Sequence, residues 1–199
     1  MDKKRGQFFL IKNRSKAIFP EKNRRGQIWV ETVIYTLIAF SLMGLVLAFV
    51  IPKVEEIRDK GIVEQSVNVL KDIDSLIRSL GSPGNQRILE LGINKGSMTI
   101  DAVNDRIFFE LESRYQYSQP GEDVTISSTD GKITANTEEV GKINIVTLTL
   151  DYQGEYNINY QGLKEVKTLS KAPVPYSISI SDRGTDSGGK TIINIEVIE

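Results

Sequence analysis

Residues 184–191, with the sequence GTDSGGKT, match the G-x-x-x-x-G-K-[ST] pattern of phosphate-binding loops in nucleotide hydrolases. A working loop of this kind opens a helix, because the amides at the helix N-terminus hold the phosphates. The next residues, 192–198, read IINIEVI and are rich in β-branched side chains, which predicts a strand. Only eight residues follow Thr191, too few for the rest of a nucleotide-binding sheet. The pattern therefore predicts a hairpin loop.

Other residue types that perform chemistry are scarce. The chain has no cysteine and no histidine, which excludes Ser-His-Asp and Cys-His nucleophile systems and the usual His/Cys zinc sites. Two acidic pairs, Asp182 with Asp186 and Glu122 with Asp123, offer oxygen ligands for calcium, but neither has EF-hand spacing. We interpret them as solvated surface residues and predict no catalytic residue, no metal site, no cofactor and no enzymatic activity.

Glu31 stands at the start of an uncharged run, residues 32–51. A helix of about 20 residues rises about 30 Å, the thickness of the hydrocarbon core of a bilayer. An ionised side chain beside such a run is costly to carry into hydrocarbon, so it predicts a functional partner. The alternatives are a cleaved secretory signal, a buried core helix, and an ordinary anchor whose Glu31 snorkels to the interface. The run is apolar all round and continues into Pro52 and Lys53 without a small-residue cleavage site, which favours a membrane span.

The charges of the chain are distributed unevenly. Residues 1–26 carry nine Lys/Arg and two Asp/Glu, whereas the remainder carries 16 Lys/Arg and 24 Asp/Glu. A basic tail before an apolar span predicts a cytoplasmic N-terminus and an exported C-terminal body by the positive-inside rule. Nucleic-acid binding by the tail is an alternative. We favour the topological interpretation because the span adjoins the tail, and we predict no nucleic-acid partner.

A helix is predicted over residues 27–80, with the membrane span at about 32–51 and an amphipathic continuation at 53–80. In the continuation, apolar residues recur in steps of three and four, which marks one stripe along a helix. Charged residues nearby are assigned to other faces. Pro52 and Gly61 predict kinks, and Gly81 to Gly84 predict the helix end. The stripe comprises Val63, Val67, Leu70, Ile73, Ile77 and Leu80, and the charged residues are Lys71, Asp72, Asp74 and Arg78.

After residue 84 the apolar period changes from about 3.6 to 2, which predicts an exported β domain over residues 85–199. Turn pairs at Asp130-Gly131 and Gln153-Gly154 separate some of its strands. The predicted fold class is α+β: a long N-terminal membrane-spanning helix followed by a mainly antiparallel β domain, one face of which packs on the outer half of the helix. The predicted strands are 106–111, 123–126, 144–150, 156–160, 176–181 and 191–198.

Arg-Gly-Gln occurs twice, at residues 5–7 and 25–27, and only the second copy precedes a full span. Counted from Gln27, the fifth residue is Glu31. With Arg24, Arg25 and Gly26, this stretch resembles the archaeal type IV prepilins with a class III signal peptide. The resemblance implies a cytoplasmic leader of residues 1–26 that a prepilin peptidase recognises and removes by cutting between Gly26 and Gln27.

The resemblance also implies a partner for Glu31, namely the α-ammonium of Gln27 on a neighbouring subunit. The resemblance further implies that the chain is a major or minor structural subunit of a pilus-like surface filament. Such a subunit is first a single-pass membrane protein and then part of an extracellular polymer. The implied partners are the peptidase, other pilin subunits, the membrane and the pilus assembly machinery. The alternatives are a signal-anchored extracellular binding module that does not polymerise and, less favoured, a surface enzyme.

Overall fold

The computed structural model describes residues 24–127 and 132–198. Residues 1–23 of the predicted leader, including the first Arg-Gly-Gln copy, and the turn predicted at Asp130 and Gly131 lie outside the described residues. The chain divides into two compact units, Met1–Leu47 and Ala48–Glu199.

One long helix, α1 (Arg24–Ser79), begins in the first unit and ends in the second. Every side chain from Ile28 to Ile51 is exposed. Within the described part of the chain, α1 is the helix that is long and apolar enough to cross a membrane. By length and composition it is a membrane anchor or a signal sequence. Pro52 and Gly61 both lie inside α1, and the kinks predicted at them remain predictions.

The described part of the second unit contains ten strands, which form two sheets. The four-stranded sheet has the order β1-β9-β10-β7, and the six-stranded sheet has the order β4-β5-β6-β3-β2-β8. All neighbours are antiparallel except β7 and β10. The strands are β1 (Gln86–Leu91), β2 (Ser97–Asp101), β3 (Arg106–Ser113), β4 (Val124–Ser127), β5 (Lys132–Val140), β6 (Ile143–Asp151), β7 (Tyr156–Tyr160), β8 (Val166–Ser170), β9 (Tyr176–Thr185) and β10 (Thr191–Ile198).

The mainly antiparallel β structure after a long apolar helix agrees with the predicted α+β class. All six predicted strands are present, as β3, β4, β6, β7, β9 and β10. The sequence did not predict β1, β2, β5 and β8. All four lie at or next to a sheet edge, but so do the predicted strands β4, β7, β9 and β10, so edge position does not explain the difference.

The predicted apolar stripe of α1 forms part of the core of the second unit. Its six members are buried, and each exposes at most 5% of its surface. They belong to the same apolar cluster as inward-facing side chains of both sheets, such as Phe109 of β3, Leu148 of β6 and Ile180 of β9. The β domain therefore packs on the C-terminal half of α1, as predicted.

Asp74 corrects one detail of the sequence analysis, which assigned it to a face away from the stripe. It is 3% exposed, because it follows Leu70 by four residues and precedes Ile77 by three, and both spacings put it on the buried face. Its Oδ1 accepts hydrogen bonds from Arg78 Nε at 3.0 Å and Tyr152 Oη at 3.1 Å. These donors compensate a carboxylate that would otherwise be buried at high cost.

Candidate functional site

The predicted cleavage segment forms the first turn of α1. Arg24, Arg25, Gly26 and Gln27 all have helical backbone. The first four N–H groups of a helix have no acceptor within the helix, and helix ends fray. The Gly26–Gln27 peptide bond therefore lies within the first turn of α1 as the structure describes it.

Glu31 lies one turn further along α1 and is exposed. Its Oε1 accepts a hydrogen bond from Tyr35 Oη at 3.1 Å, a contact between residues four apart on one helix face. Among the side chains that the structure describes, which begin at Ile28, no cation forms an ion pair with Glu31. The carboxylate thus has a neutral donor and no described counter-charge. The sequence analysis missed Tyr35, although a hydroxyl four residues after the carboxylate was the signal for it.

The other polar groups near Glu31 are satisfied within the helix. The hydroxyl of Thr32 donates to the carbonyl oxygen of Ile28 at 2.9 Å, and the hydroxyl of Thr36 donates to that of Val33 at 2.9 Å. Such back-bonding lets a hydroxyl sit in an apolar setting without a further partner. Among the described side chains of residues 28–51, Glu31 is the one carboxylate, and its hydrogen-bond partner is the neutral hydroxyl of Tyr35.

The surface around Glu31 is apolar on all sides of α1. Large apolar residues remain at least 37% exposed along this part of the helix, so nothing in the described chain covers them. An exposed apolar surface of this extent marks contact with lipid or with another protein. Its large members up to residue 51 are Ile28, Trp29, Val30, Val33, Ile34, Tyr35, Leu37, Ile38, Phe40, Leu42, Met43, Leu45, Val46, Leu47, Phe49, Val50 and Ile51.

Residues 184–191 form the predicted hairpin loop, because β9 and β10 are antiparallel neighbours and β10 starts at Thr191. Oδ1 of Asp186 accepts hydrogen bonds from the amides of Gly188 at 2.8 Å and Lys190 at 2.9 Å. Donation from Lys190, together with Asn157, lowers the pKa of the Asp186 carboxyl. The loop amides that would cradle a phosphate therefore bind the loop's own carboxylate, and no helix follows to add further donors.

The acidic pairs considered for calcium have local hydrogen-bond partners instead. Asp123 accepts from the amide nitrogen of the Asn136 side chain at 2.7 Å. Asp182 accepts from the backbone amide of Gly184 at 2.7 Å, and it is buried at 6% exposure. Its interpretation as a solvated surface residue was therefore wrong. The described residues contain no group of three or more metal-ligating side chains.

A charged cleft of about 430 Å³ lies where α1 meets the β domain in the second unit. Its wall includes α1 residues, the β1–β2 loop and the end of β3. Gly96 holds that loop against β3: its φ is +78°, and an added Cβ would lie 2.3 Å from the carbonyl oxygen of Glu110. The cleft is lined by four cations (Arg58, Lys95, Arg114 and Lys171) and three carboxylates (Glu55, Asp59 and Glu112).

Two ion pairs organise this cleft. Asp59, 6% exposed, accepts from Lys95 Nζ at 2.5 Å and from the backbone amide of Arg114 at 2.8 Å. Glu55 pairs with Arg114 Nε at 2.6 Å. The sequence analysis missed Asp59, although it precedes Val63 by four residues and so extends the buried stripe toward the N-terminus. Its partners are distant in sequence, and no local pattern indicated them.

The structure therefore separates two groups of residues. The predicted site residues Arg24 to Gln27 and Glu31 lie together at the start of α1, while the cleft lies in the second unit. No protein-family model, no curated protein and no solved structure matches this chain. The function proposed for the chain is therefore inferred from these residues and their contacts.

Proposed function

We propose that this chain is the precursor of a structural subunit, major or minor, of a type IV pilus-like surface filament. The observation that carries the proposal is the conjunction of Arg25-Gly26-Gln27 with Glu31 at the start of a helix whose apolar side chains are uncovered. The same helix supplies the buried stripe of the β domain. One element thus carries the cleavage motif, an apolar surface for assembly and the connection to the domain that is displayed.

The precursor is a single-pass membrane protein with its N-terminus in the cytoplasm and residues 85–199 outside. A prepilin peptidase cuts between Gly26 and Gln27, and the assembly machinery moves the mature chain from the membrane into the filament. The apolar part of α1 then contacts other subunits instead of lipid. This transfer accounts for an apolar surface that no part of the described chain covers.

Glu31 sets the register of subunits in this proposal. A carboxylate in an apolar setting is costly unless a counter-charge joins it. Cleavage creates an α-ammonium at Gln27, and this group on a neighbouring subunit supplies the charge that Tyr35 does not. Pairing one ammonium with one carboxylate fixes how far neighbouring helices are shifted, since any other register leaves both charges unpaired.

Processing is tested by the intact mass of the protein extracted from membranes. The mature chain is expected to begin at Gln27 or its cyclised form, of which only the uncyclised form keeps the α-ammonium that pairs with Glu31, and Gly26→Val is expected to leave uncut precursor. The chain provides a matched control, because Gly6→Val alters the first Arg-Gly-Gln copy and should be processed normally. An intact Met1, a cut after Ala48, or normal processing of Gly26→Val would refute the proposal.

The assembly role is tested by co-expressing differently tagged wild-type and Glu31→Ala chains, shearing surface filaments and quantifying both tags. Glu31→Ala should be cut normally yet enter filaments poorly, because removing one member of a desolvated charge pair costs about 3 to 5 kcal/mol. Tyr35→Phe is the control that removes only the neutral donor, and it should be incorporated at close to the wild-type level. Equal incorporation of Glu31→Ala would show that Glu31 has no assembly role.

The alternative, an anchored binding module that acts alone, predicts different outcomes in the same two experiments. An anchor needs neither cleavage after Gly26 nor polymerisation. It would also tolerate Glu31→Ala, because removing a charge beside an apolar span lowers the cost of insertion. Membrane-bound monomers without sheared filaments would favour this alternative.

A further inference from the structure

The charged cleft beside α1 contains two cations that its internal ion pairs do not use. Lys95 pairs with Asp59 and Arg114 pairs with Glu55. Among the described residues, neither Arg58 nor Lys171 forms an ion pair or a hydrogen bond through its side chain. These two side chains reach one cleft from different elements, Arg58 from α1 and Lys171 from the segment that follows β8.

The net charge of the cleft limits the negative charge that a bound ligand can carry. Four cations and three carboxylates line it, which leaves a net charge of +1. A guanidinium donates two parallel hydrogen bonds to phosphate oxygens, and a lysine adds a compact positive charge. The carboxylate of Glu112 repels additional negative charge. A monoanionic phosphodiester therefore fits this cleft better than a phosphate dianion does.

The position of Arg58 on α1 places the cleft at the level of lipid headgroups. Arg58 follows Ile51 by seven positions, which is about 10 Å along a helix. The headgroup layer extends about 5 to 7 Å beyond the hydrocarbon. Helical side chains lean toward the N-terminus, and a long arginine side chain spans the remaining distance.

Apolar surface joins this level to the cleft. Ile51 and Val54 precede Arg58 by seven and four residues, spacings that place them on its side of α1, and they are 53% and 56% exposed. Ile62 and Ile143 line the cleft itself. A ligand with a charged phosphodiester and an attached apolar part can contact both surfaces at once.

We propose that this cleft binds the phosphodiester headgroup of an anionic phospholipid in the outer leaflet, with Arg58 and Lys171 as the principal phosphate ligands. The bound lipid fixes the depth and rotation of the exported domain at the membrane surface. This inference requires the membrane span but not cleavage or polymerisation. Its failure would therefore be distinguishable from failure of the proposed filament function.

The test uses the full chain extracted from membranes, exchanged into detergent, and mixed with phosphatidylglycerol and phosphatidylcholine of identical acyl chains. Native mass spectrometry counts the lipid molecules that each protein retains. Wild type should prefer phosphatidylglycerol by about tenfold, the equivalent of one charge-assisted hydrogen bond. Arg58→Gln/Lys171→Gln should lose this preference. A matched control, Arg87→Gln/Lys167→Gln, removes two exposed cations elsewhere and should keep it.

Soluble glycerophosphoglycerol distinguishes a lipid from a free phosphodiester. It should displace phosphatidylglycerol from wild type, because it carries the same headgroup without acyl chains. Binding of the soluble compound to a protein that shows no lipid preference would overturn the lipid assignment. Equal retention of both lipids by wild type would overturn the assignment to an anionic lipid, because phosphatidylcholine carries the same phosphodiester with a compensating choline charge. An unchanged preference in Arg58→Gln/Lys171→Gln would overturn the site itself. Far-UV circular dichroism checks that both double variants are folded.

Discussion

The two halves of α1 have the same secondary structure but opposite relations to their surroundings. From Ile28 to Ile51 every side chain is exposed, and the residues are apolar on all faces. From Val63 to Ile77 the apolar residues lie on one stripe, which is buried in the core of the second unit. Helix formation alone therefore does not distinguish the halves. What distinguishes them is whether the chain itself supplies the contacts that bury the apolar surface.

Substitutions in the two halves of α1 are therefore expected to affect different properties of the protein. A change in the stripe alters the folding free energy of the β domain, because it removes contacts within the chain. A change in the apolar half removes no such contact, so its effect arises only where lipid or another subunit covers it. Matched substitutions in the two halves test this separation, and amide hydrogen exchange of the β strands measures the stability of the β domain alone.

The largest difference is expected between Leu70→Ala and Leu45→Ala. Leu70 is fully buried, and truncating it should lower the free energy of unfolding by about 2 to 5 kcal/mol, from lost burial and the cavity left behind. Leu45 is 71% exposed, and its truncation should leave strand exchange unchanged. Equal destabilisation by the two variants would mean that the apolar half also packs on the β domain.

A second test concerns the loop that brings Lys95 to Asp59 on the second half of α1. Gly96→Ala places a side chain on a backbone with φ of +78° and against Glu110, so it should cost at least about 1 to 3 kcal/mol from backbone strain alone. Gly92→Ala is the control in the same loop, because its added Cβ has no neighbour within 4 Å. Thermal unfolding in detergent compares the two. Similar transition temperatures would contradict the tight approach of this loop to β3.

The buried stripe was predictable because steps of three and four residues identify one helix face without knowledge of its partner. Asp59 and Asp74 lie on the same face by the same spacing, yet a charge at a core position is identified as buried only when its donors are known. Those donors come from far along the chain: Lys95 is 36 residues from Asp59, and Tyr152 is 78 residues from Asp74. The charged cleft was unpredictable for this reason.

The missed strand β5 has a local explanation. In β5, the inward-facing positions are Ile133, Ala135 and Thr137, all buried. A small and a hydroxyl side chain face the core there, so the apolar alternation that marks a strand is lost in KITANTEEV. Glu31 and the cleavage motif were instead found from residue types and their spacing over a few residues. Only their resemblance to prepilins gave that motif a function.

A smaller effect is expected for Tyr152→Phe, which removes the hydroxyl that donates to Asp74. Loss of this donor should cost about 1 to 3 kcal/mol at neutral pH. Burial, followed by the charge of Asp74, raises the pKa of Tyr152 well above its usual range. The unfolded state therefore releases the phenolic proton first as the pH rises.

The direction in which the free energy of unfolding changes with pH follows from that proton release. Below about pH 10 the contribution of Tyr152 to stability is complete, and above it the free energy of unfolding falls by about 1.4 kcal/mol per pH unit. Tyr152→Phe should abolish this part of the alkaline loss, and Tyr35→Phe, in the exposed half, should retain it. Denaturant unfolding at about pH 8 and about pH 11 measures the difference. An identical alkaline loss in wild type and Tyr152→Phe would assign it to other groups.

The smallest effect is expected from two glycines with the same geometry, one in each half of α1. An added Cβ at Gly61 or at Gly44 has no neighbour within 4 Å, so alanine fits at both positions. Gly61→Ala should raise the free energy of unfolding of the second unit by about 0.5 to 1 kcal/mol, because alanine loses less backbone freedom in a helix. Gly44→Ala should leave that free energy unchanged, since Gly44 lies outside the second unit. Strand hydrogen exchange in detergent resolves both values. Destabilisation by Gly61→Ala would instead indicate that α1 needs the glycine for the kink predicted there, and a change caused by Gly44→Ala would break the separation between the two halves.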